Sequence, residues 1–213
     1  MIRLIYTFLI LLLLNISSFS QIKSAKIEFK IEYELIEELE SQRSTLSNKM
    51  IIYMNDGFSR KEEVTRIGSQ VLINDINNNQ SFLLMQIAEE KLAIQVQESS
   101  DSNDVKEKVT YLDQTKEIAG YSCKKAVLNT YDNKKEEANT IELFYTDEIS
   151  SIYDLKFRNI KGTPLEFTVK SKGMTITYTA TLISTDQQND HLFEIPEDFT
   201  ILSMSEFKRL MSN

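Results

Sequence analysis

The chain has one cysteine, one histidine, two prolines and five glycines, and each scarcity removes a class of explanation. The single cysteine, Cys123, closes no internal disulfide, so stability must come from packing and strand pairing. The single histidine, His191, excludes the usual multi-histidine metal site. With so little proline and glycine there is no linker, and the composition does not break along the chain. Residues 21–213 therefore read as a single domain. After residue 20 no apolar run approaches the ~20 residues a membrane helix needs. Positive charge is also short: 24 Lys and Arg stand against 32 Asp and Glu, a formal net charge of −8. Such a surface repels nucleic acid and anionic headgroup layers, so neither is expected as a main partner.

Catalytic patterns are equally scarce. The nearest approach to a Gly-x-Ser-x-Gly elbow is Gly120-Tyr121-Ser122-Cys123-Lys124, which lacks the second glycine and lies in a strand pattern. Cys123 and His191 form the one thiol–imidazole combination available, with nothing local to support it. The Asp- and Asn-rich turns do not carry the ligand spacing of a calcium loop. Adjacent carboxylates (Glu62-Glu63, Glu89-Glu90, Glu136-Glu137) point to opposite faces of a strand. The expectation is a protein that is not an enzyme, with no catalytic residues, metal or cofactor.

The chain opens with Met1-Ile2-Arg3, an apolar run from Leu4 to Leu14, and a polar exit with Ser18 and Ser20 at the −3 and −1 positions. This order predicts a signal peptide over residues 1–20, cleaved before Gln21, and no lipid anchor, since no cysteine follows the cut. A periplasmic or secreted location follows. From Lys26, alternation places Ile27, Phe29, Ile31, Tyr33 and Leu35 on one face, with charged residues between them. Further strands are expected at Lys49–Met54, Phe58–Thr65, Gln70–Asn74, Ser81–Ile87, Lys91–Gln97, Lys108–Ile118, Tyr121–Thr130, Asn139–Thr146, Leu155–Ile160, Leu165–Lys170 and Met174–Ser184. Turn formers such as Asn55-Asp56-Gly57 and Asp132-Asn133 separate them. The pattern predicts a mainly β fold built as an antiparallel meander.

Helix signals are few. Ser203 and Glu206 form a capping box ahead of a short terminal helix carrying Met204, Phe207, Leu210 and Met211. Residues 34–47 suit either a second helix or a strand end followed by a loop. Two strands, residues 50–54 and 81–87, are apolar on both faces, which requires cover on both sides or an interior that holds something. Gly120 reads as a bulge or bend, and Cys123 beyond it as a packed thiol. Pro196 is expected to end sheet pairing, with Phe193 and Ile195 closing one end of the core.

Seven stretches occur in a particular order: SRKEE (59–63), EKLAIQV (90–96), TKEIAGYSCKKAVL (115–128), FYTDEI (144–149), IKGTPLEF (160–167), GMTITYTA (173–180) and FEIPEDF (193–199). Together they resemble a family of exported, largely uncharacterised bacterial proteins related to the domain-of-unknown-function and GLPGLI groups. Where the GLPGLI signature would stand, this chain reads IKGTPL (160–165). Such proteins look like relatives of the lipoprotein-localisation carriers (LolA-like). The resemblance implies a single curved antiparallel sheet, an unclosed barrel with one or two short helices, and a concave cavity for an apolar ligand such as a lipid or a lipoprotein acyl chain. In such a barrel the cavity-lining candidates are Ile52, Met54, Leu72, Leu84, Ile94, Leu143, Phe167, Ile176 and Tyr178; a register slip of one residue would move any of them to the other face. The alternative is an envelope protein–protein interaction module with a filled core and no ligand.

Overall fold

The computed structural model describes residues 22–65, 68–87, 89–96, 105–133, 137–149, 153–171 and 173–212. The expected leader, the 101–104 turn and the lysines at 134 and 135 lie outside these residues. Twelve strands form one sheet: β1 (Ser24–Leu35), β2 (Lys49–Asn55), β3 (Phe58–Thr65), β4 (Gly68–Asp75), β5 (Gln80–Ile87), β6 (Glu90–Val96), β7 (Val105–Ile118), β8 (Tyr121–Asp132), β9 (Glu137–Thr146), β10 (Thr163–Ser171), β11 (Met174–Ser184) and β12 (Thr200–Ser203). Their order is β12-β6-β5-β4-β3-β2-β1-β11-β10-β9-β8-β7, so the sheet is open at both ends. The fold is mainly β, and the sheet is curved and unclosed. All pairs are antiparallel except β6 with β12.

The sheet consists of two meanders. Strands β1 to β6 step outward from the middle, β7 to β11 step inward from the opposite edge, and β11 pairs with β1 along a seam. Curvature brings β7 back against β11, although three strands lie between them in the sheet. One face is therefore concave, and the principal core lies on it. Ala25, Ile27 and Phe29 of β1, Met50, Ile52 and Met54 of β2, Leu128 of β8, Leu143 of β9 and Leu165 and Phe167 of β10 are all buried there.

Alternation located the strands, with two exceptions. Residues 155–160 are not a strand. Leu155–Phe157 form a short 3-10 helix started by Asp154, whose side chain accepts a hydrogen bond from the Lys156 N–H at 3.1 Å. Both lateral positions beside β10 are already taken, by β9 and β11, so this apolar segment does not pair beside the strand it precedes. It folds compactly instead and buries Leu155, Phe157 and Ile160. The second exception is β12, whose four residues carry too short a pattern to detect. Pro196 does not end sheet pairing: its carbonyl accepts from the Phe199 N–H at 3.0 Å, a turn that leads the chain into β12. Residues 34–47 combine both expectations, because β1 continues to Leu35 and a 3-10 helix follows at Glu37–Thr45.

The terminal helix α1 (Met204–Met211) begins at Ser203 with both halves of the capping box formed. Gly120 is not at a bulge. With Ala119 it makes a two-residue hairpin between Ile118 and Tyr121, both residues having positive φ (50° and 86°).

The convex side of β5, one of the doubly apolar strands, is covered by the chain itself. After β11 the chain crosses the convex face as a strap. There Phe193 packs on Phe58, Arg60 donates to the Leu192 carbonyl at 3.2 Å, and Ile195 and Phe199 cover Ile73, Phe82, Leu84 and Ala93. Ile195 thus seals a second, smaller core and Phe193 packs on Phe58, so neither closes one end of the main core.

Candidate functional site

Directly paired residues in neighbouring strands share a face, so the register assigns every side chain. One row crosses eight strands: Ile183, Ile27, Ile52, Lys61, Leu72, Leu83, Ile94 and Leu202. A neighbouring row holds Ala25, Met54, Ser59, Asn74, Ser81 and Val96. Across the seam, Ile31 faces Tyr178 and Tyr33 faces Ile176, continuing to Phe167, Val169 and Leu143. Eight of the nine residues expected from the sequence (Ile52, Met54, Leu72, Ile94, Leu143, Phe167, Ile176 and Tyr178) therefore share the concave face. Leu84 does not. It pairs with Val71 and Ala93 and lies under the strap on the convex side; Leu83 holds the concave position. The run Leu83-Leu84-Met85 is apolar throughout, so its pattern could not distinguish the faces.

The concave face is partly filled by the chain itself. Between β9 and β10, Ile149, Tyr153, Phe157 and Ile160 are buried against it. Tyr153 meets Phe29 and Phe157 at ring distances of 6.2 and 5.7 Å, and Phe157 meets Phe167 at 5.1 Å edge-on. Buried polar groups fix this filling segment. Ser59 Oγ donates to the Tyr153 carbonyl at 2.8 Å, and Asn74 Nδ2 donates to Ser59 Oγ at 2.9 Å. Ser81 Oγ donates to Asn74 Oδ1 at 2.7 Å, and the Tyr153 hydroxyl donates to the Pro164 carbonyl at 3.0 Å. Among the described residues no buried side-chain nitrogen or oxygen lacks a partner, so the network orders the segment without leaving a side chain stranded. Under it Ile52, Met54, Leu143 and Phe167 are at most 2% exposed and are closed off from any ligand in this conformation.

The rest of the face is half-buried: Leu72, Leu83 and Met85 on β4 and β5, and Tyr33, Ile176 and Tyr178 beside the seam. Tyr178 stacks on Phe167 (4.5 Å, 11°). Lys156 lies over the Phe157 and Phe167 rings at 4.9 and 5.2 Å and pairs with Asp154 at 3.1 Å. Burial, and then the Glu63 carboxylate, push the hydroxyls of Tyr33 and Tyr178 above the ordinary tyrosine range. Both phenols therefore stay protonated at neutral pH, and Tyr33 donates to the Ser47 carbonyl at 2.7 Å. The adjacent carboxylates of β3 do diverge: Glu62 pairs with Arg60 at 2.6 Å on the convex side, while Glu63 faces the tyrosines. Lys61, Glu63, Leu83 and the filling segment escaped sequence reasoning, because β3 is charged on both faces and shows no alternation to read.

Cys123 is fully buried, and its thiol is pushed up to about 11, first by burial and then by Glu148. His191 is exposed on the strap, where its Nδ1 lies 3.0 Å from Glu194, so the only cysteine and the only histidine are not brought together. Elsewhere, Ile201, Leu210 and Met211 are 59%, 46% and 59% exposed near the β12 edge. Beside them Leu92, Leu202, Arg209 and Leu210 line a cavity of about 570 Å³. Comparison with known families and with curated proteins finds no match for this chain.

Proposed function

We propose that the protein is an exported cell-envelope binding protein, periplasmic or secreted, that holds an acyl chain of a lipid or lipoprotein on its concave face. The observation that carries this reading is the half-buried apolar surface of Leu72, Leu83, Met85, Ile176 and Tyr178, which continues the filled core without being covered by it. The resemblance to the lipoprotein-localisation carriers supports it. Each methylene removed from water is worth about 0.8 kcal/mol, while association costs roughly 4 kcal/mol or more. A long chain is therefore required, and shortening it by two methylenes weakens binding about tenfold.

Uptake of a fluorescent fatty acid, together with native mass spectrometry of protein purified from its own envelope, tests the proposal. Wild-type protein takes up the probe and carries a co-purified lipid mass. Leu83→Glu abolishes uptake, while Lys170→Glu, at an exposed position, leaves it intact. If wild-type protein takes up no apolar probe, and delipidation changes neither mass nor Tm, the carrier reading is wrong. A second reading, docking of an envelope protein, then takes its place, favoured by the exposed Ile201, Leu210 and Met211.

A further inference from the structure

We infer that the ligand of the concave face is an anionic amphiphile and that Lys61 holds its head. This rests on the carrier reading and adds the chemistry of the ligand to it. Lys61 is the one charged residue in a row whose neighbours on either side, Ile52 and Leu72, are aliphatic. Its face is fixed independently, because Ser59, two residues earlier in the same strand, reaches the Tyr153 carbonyl on the concave side. The side chain is half-buried and has no hydrogen bond or ion pair among the described residues.

Among the described lysines without a partner, Lys106, Lys108, Lys170 and Lys208 are exposed and Lys61 alone is half-buried. Lys26 and Lys49 share Glu28, Lys116 pairs with Glu166, Lys124 with Asp147, and Lys156 with Asp154. Of the two carboxylates following Lys61, Glu62 turns to the other face and pairs with Arg60, and Glu63 makes no contact with it. A cation withdrawn from water among aliphatic groups is costly unless an anion meets it. A carboxylate or phosphate at Lys61, with its chain running over Leu72 and Leu83, supplies that anion and covers the apolar surface in one molecule. The protein's net negative charge slows the approach of such a ligand without cancelling a contact pair, which screening by salt leaves largely untouched at short range.

Titration of the full mature chain with three single-chain probes tests this: palmitate, palmitoyl lysophosphatidic acid and uncharged monopalmitoylglycerol. Wild-type protein binds at least one of the two anions tenfold or more tightly than the neutral ester, and the tighter of the two identifies the head as carboxylate or phosphate. Lys61→Met keeps the apolar stem, retains the neutral ester and loses the preference; Lys61→Arg retains the preference. Should Lys61→Met fail to fold, Lys61→Gln serves as the neutral variant. An anion preference that survives removal of the charge, or a wild-type protein that binds all three equally, overturns the role of Lys61 while leaving the carrier reading intact. Such a lysine would merely extend its ammonium to water. Failure to bind any of the three overturns both.

Discussion

At the scale of single residues, the fate of Cys123 is decided by its surroundings rather than by its neighbours in sequence. The flanking lysines look able to activate a thiol, yet Lys124 is committed to Asp147 and Lys125 to Glu142. Burial dominates, raising the thiol from its ordinary value of 9.0 to about 11. A buried acid with a raised pKa keeps its proton in the folded state while the unfolded chain loses it. Its stabilising influence is therefore whole below about pH 9 and is lost as pH rises towards 11, a change of about 2 kcal/mol. Denaturant unfolding at pH 8, 9, 10 and 11 should show stability falling more steeply in wild-type protein than in Cys123→Ala. The buried Tyr153 hydroxyl, also raised, leaves a residual slope in both. A water-soluble thiol reagent should label Cys123 only as fast as the protein unfolds; rapid labelling of the native state would contradict the packed thiol. Sequence reasoning reached this residue because a cysteine in an alternating strand is most simply a small apolar side chain. It missed Lys61, since a lysine in a charged strand carries no mark of the face it occupies.

At the scale of elements, legibility depended on how many alternations each segment offers. The long strands β1, β8 and β11 were plain, with 12, 12 and 11 residues of pattern. The four residues of β12 offered none, and Leu155–Ile160 imitated a strand because Leu155 and Phe157 are two apart while the segment serves as core filling. Eight of the nine residues expected on one face do share it, although Ile52 sits between Ile51 and Tyr53 and Leu72 between Val71 and Ile73; Leu84, in an equally apolar run, lies on the other face. The hairpin between β7 and β8 leads to a prediction at this scale. Ala119 occupies left-handed backbone (φ 50°) where a two-residue turn favours asparagine followed by glycine, and Gly120 is already in place. Ala119→Asn should therefore stabilise the protein by about 1 kcal/mol, read as a higher denaturant midpoint at unchanged m-value. A lower midpoint would mean that the turn is set by contacts beyond its own backbone.

At the scale of the whole molecule, the concave face divides its work. The filled portion, from Ile27 across to Leu143, provides the stability that a chain without disulfides needs. The half-buried portion beyond it is the surface on which the proposed ligand would lie. The strap gives the convex side its own small core, which covers Phe82 and Leu84 of the doubly apolar strand β5.

The two-meander plan also governs how the chain assembles. Within each meander, partners are consecutive in the chain, most joined by short turns and two by the longer segments 36–48 and 147–162. The seam, by contrast, unites Lys26 with Ser184, and β12 reaches β6 only after the rest of the chain has been made. Contacts so distant along the chain are slow to form, and until they do the open edge of β1 resembles any other unpaired strand. A backbone cut between β6 and β7 would leave a contiguous meander in each piece, with the β1–β11 seam and the β6–β12 pair as the strand pairings that join the pieces. The two pieces, refolded together, should recover the far-UV circular dichroism and cooperative melting of the intact protein, while neither does so alone. On this view the peptide link between the two meanders serves mainly to keep them at high local concentration.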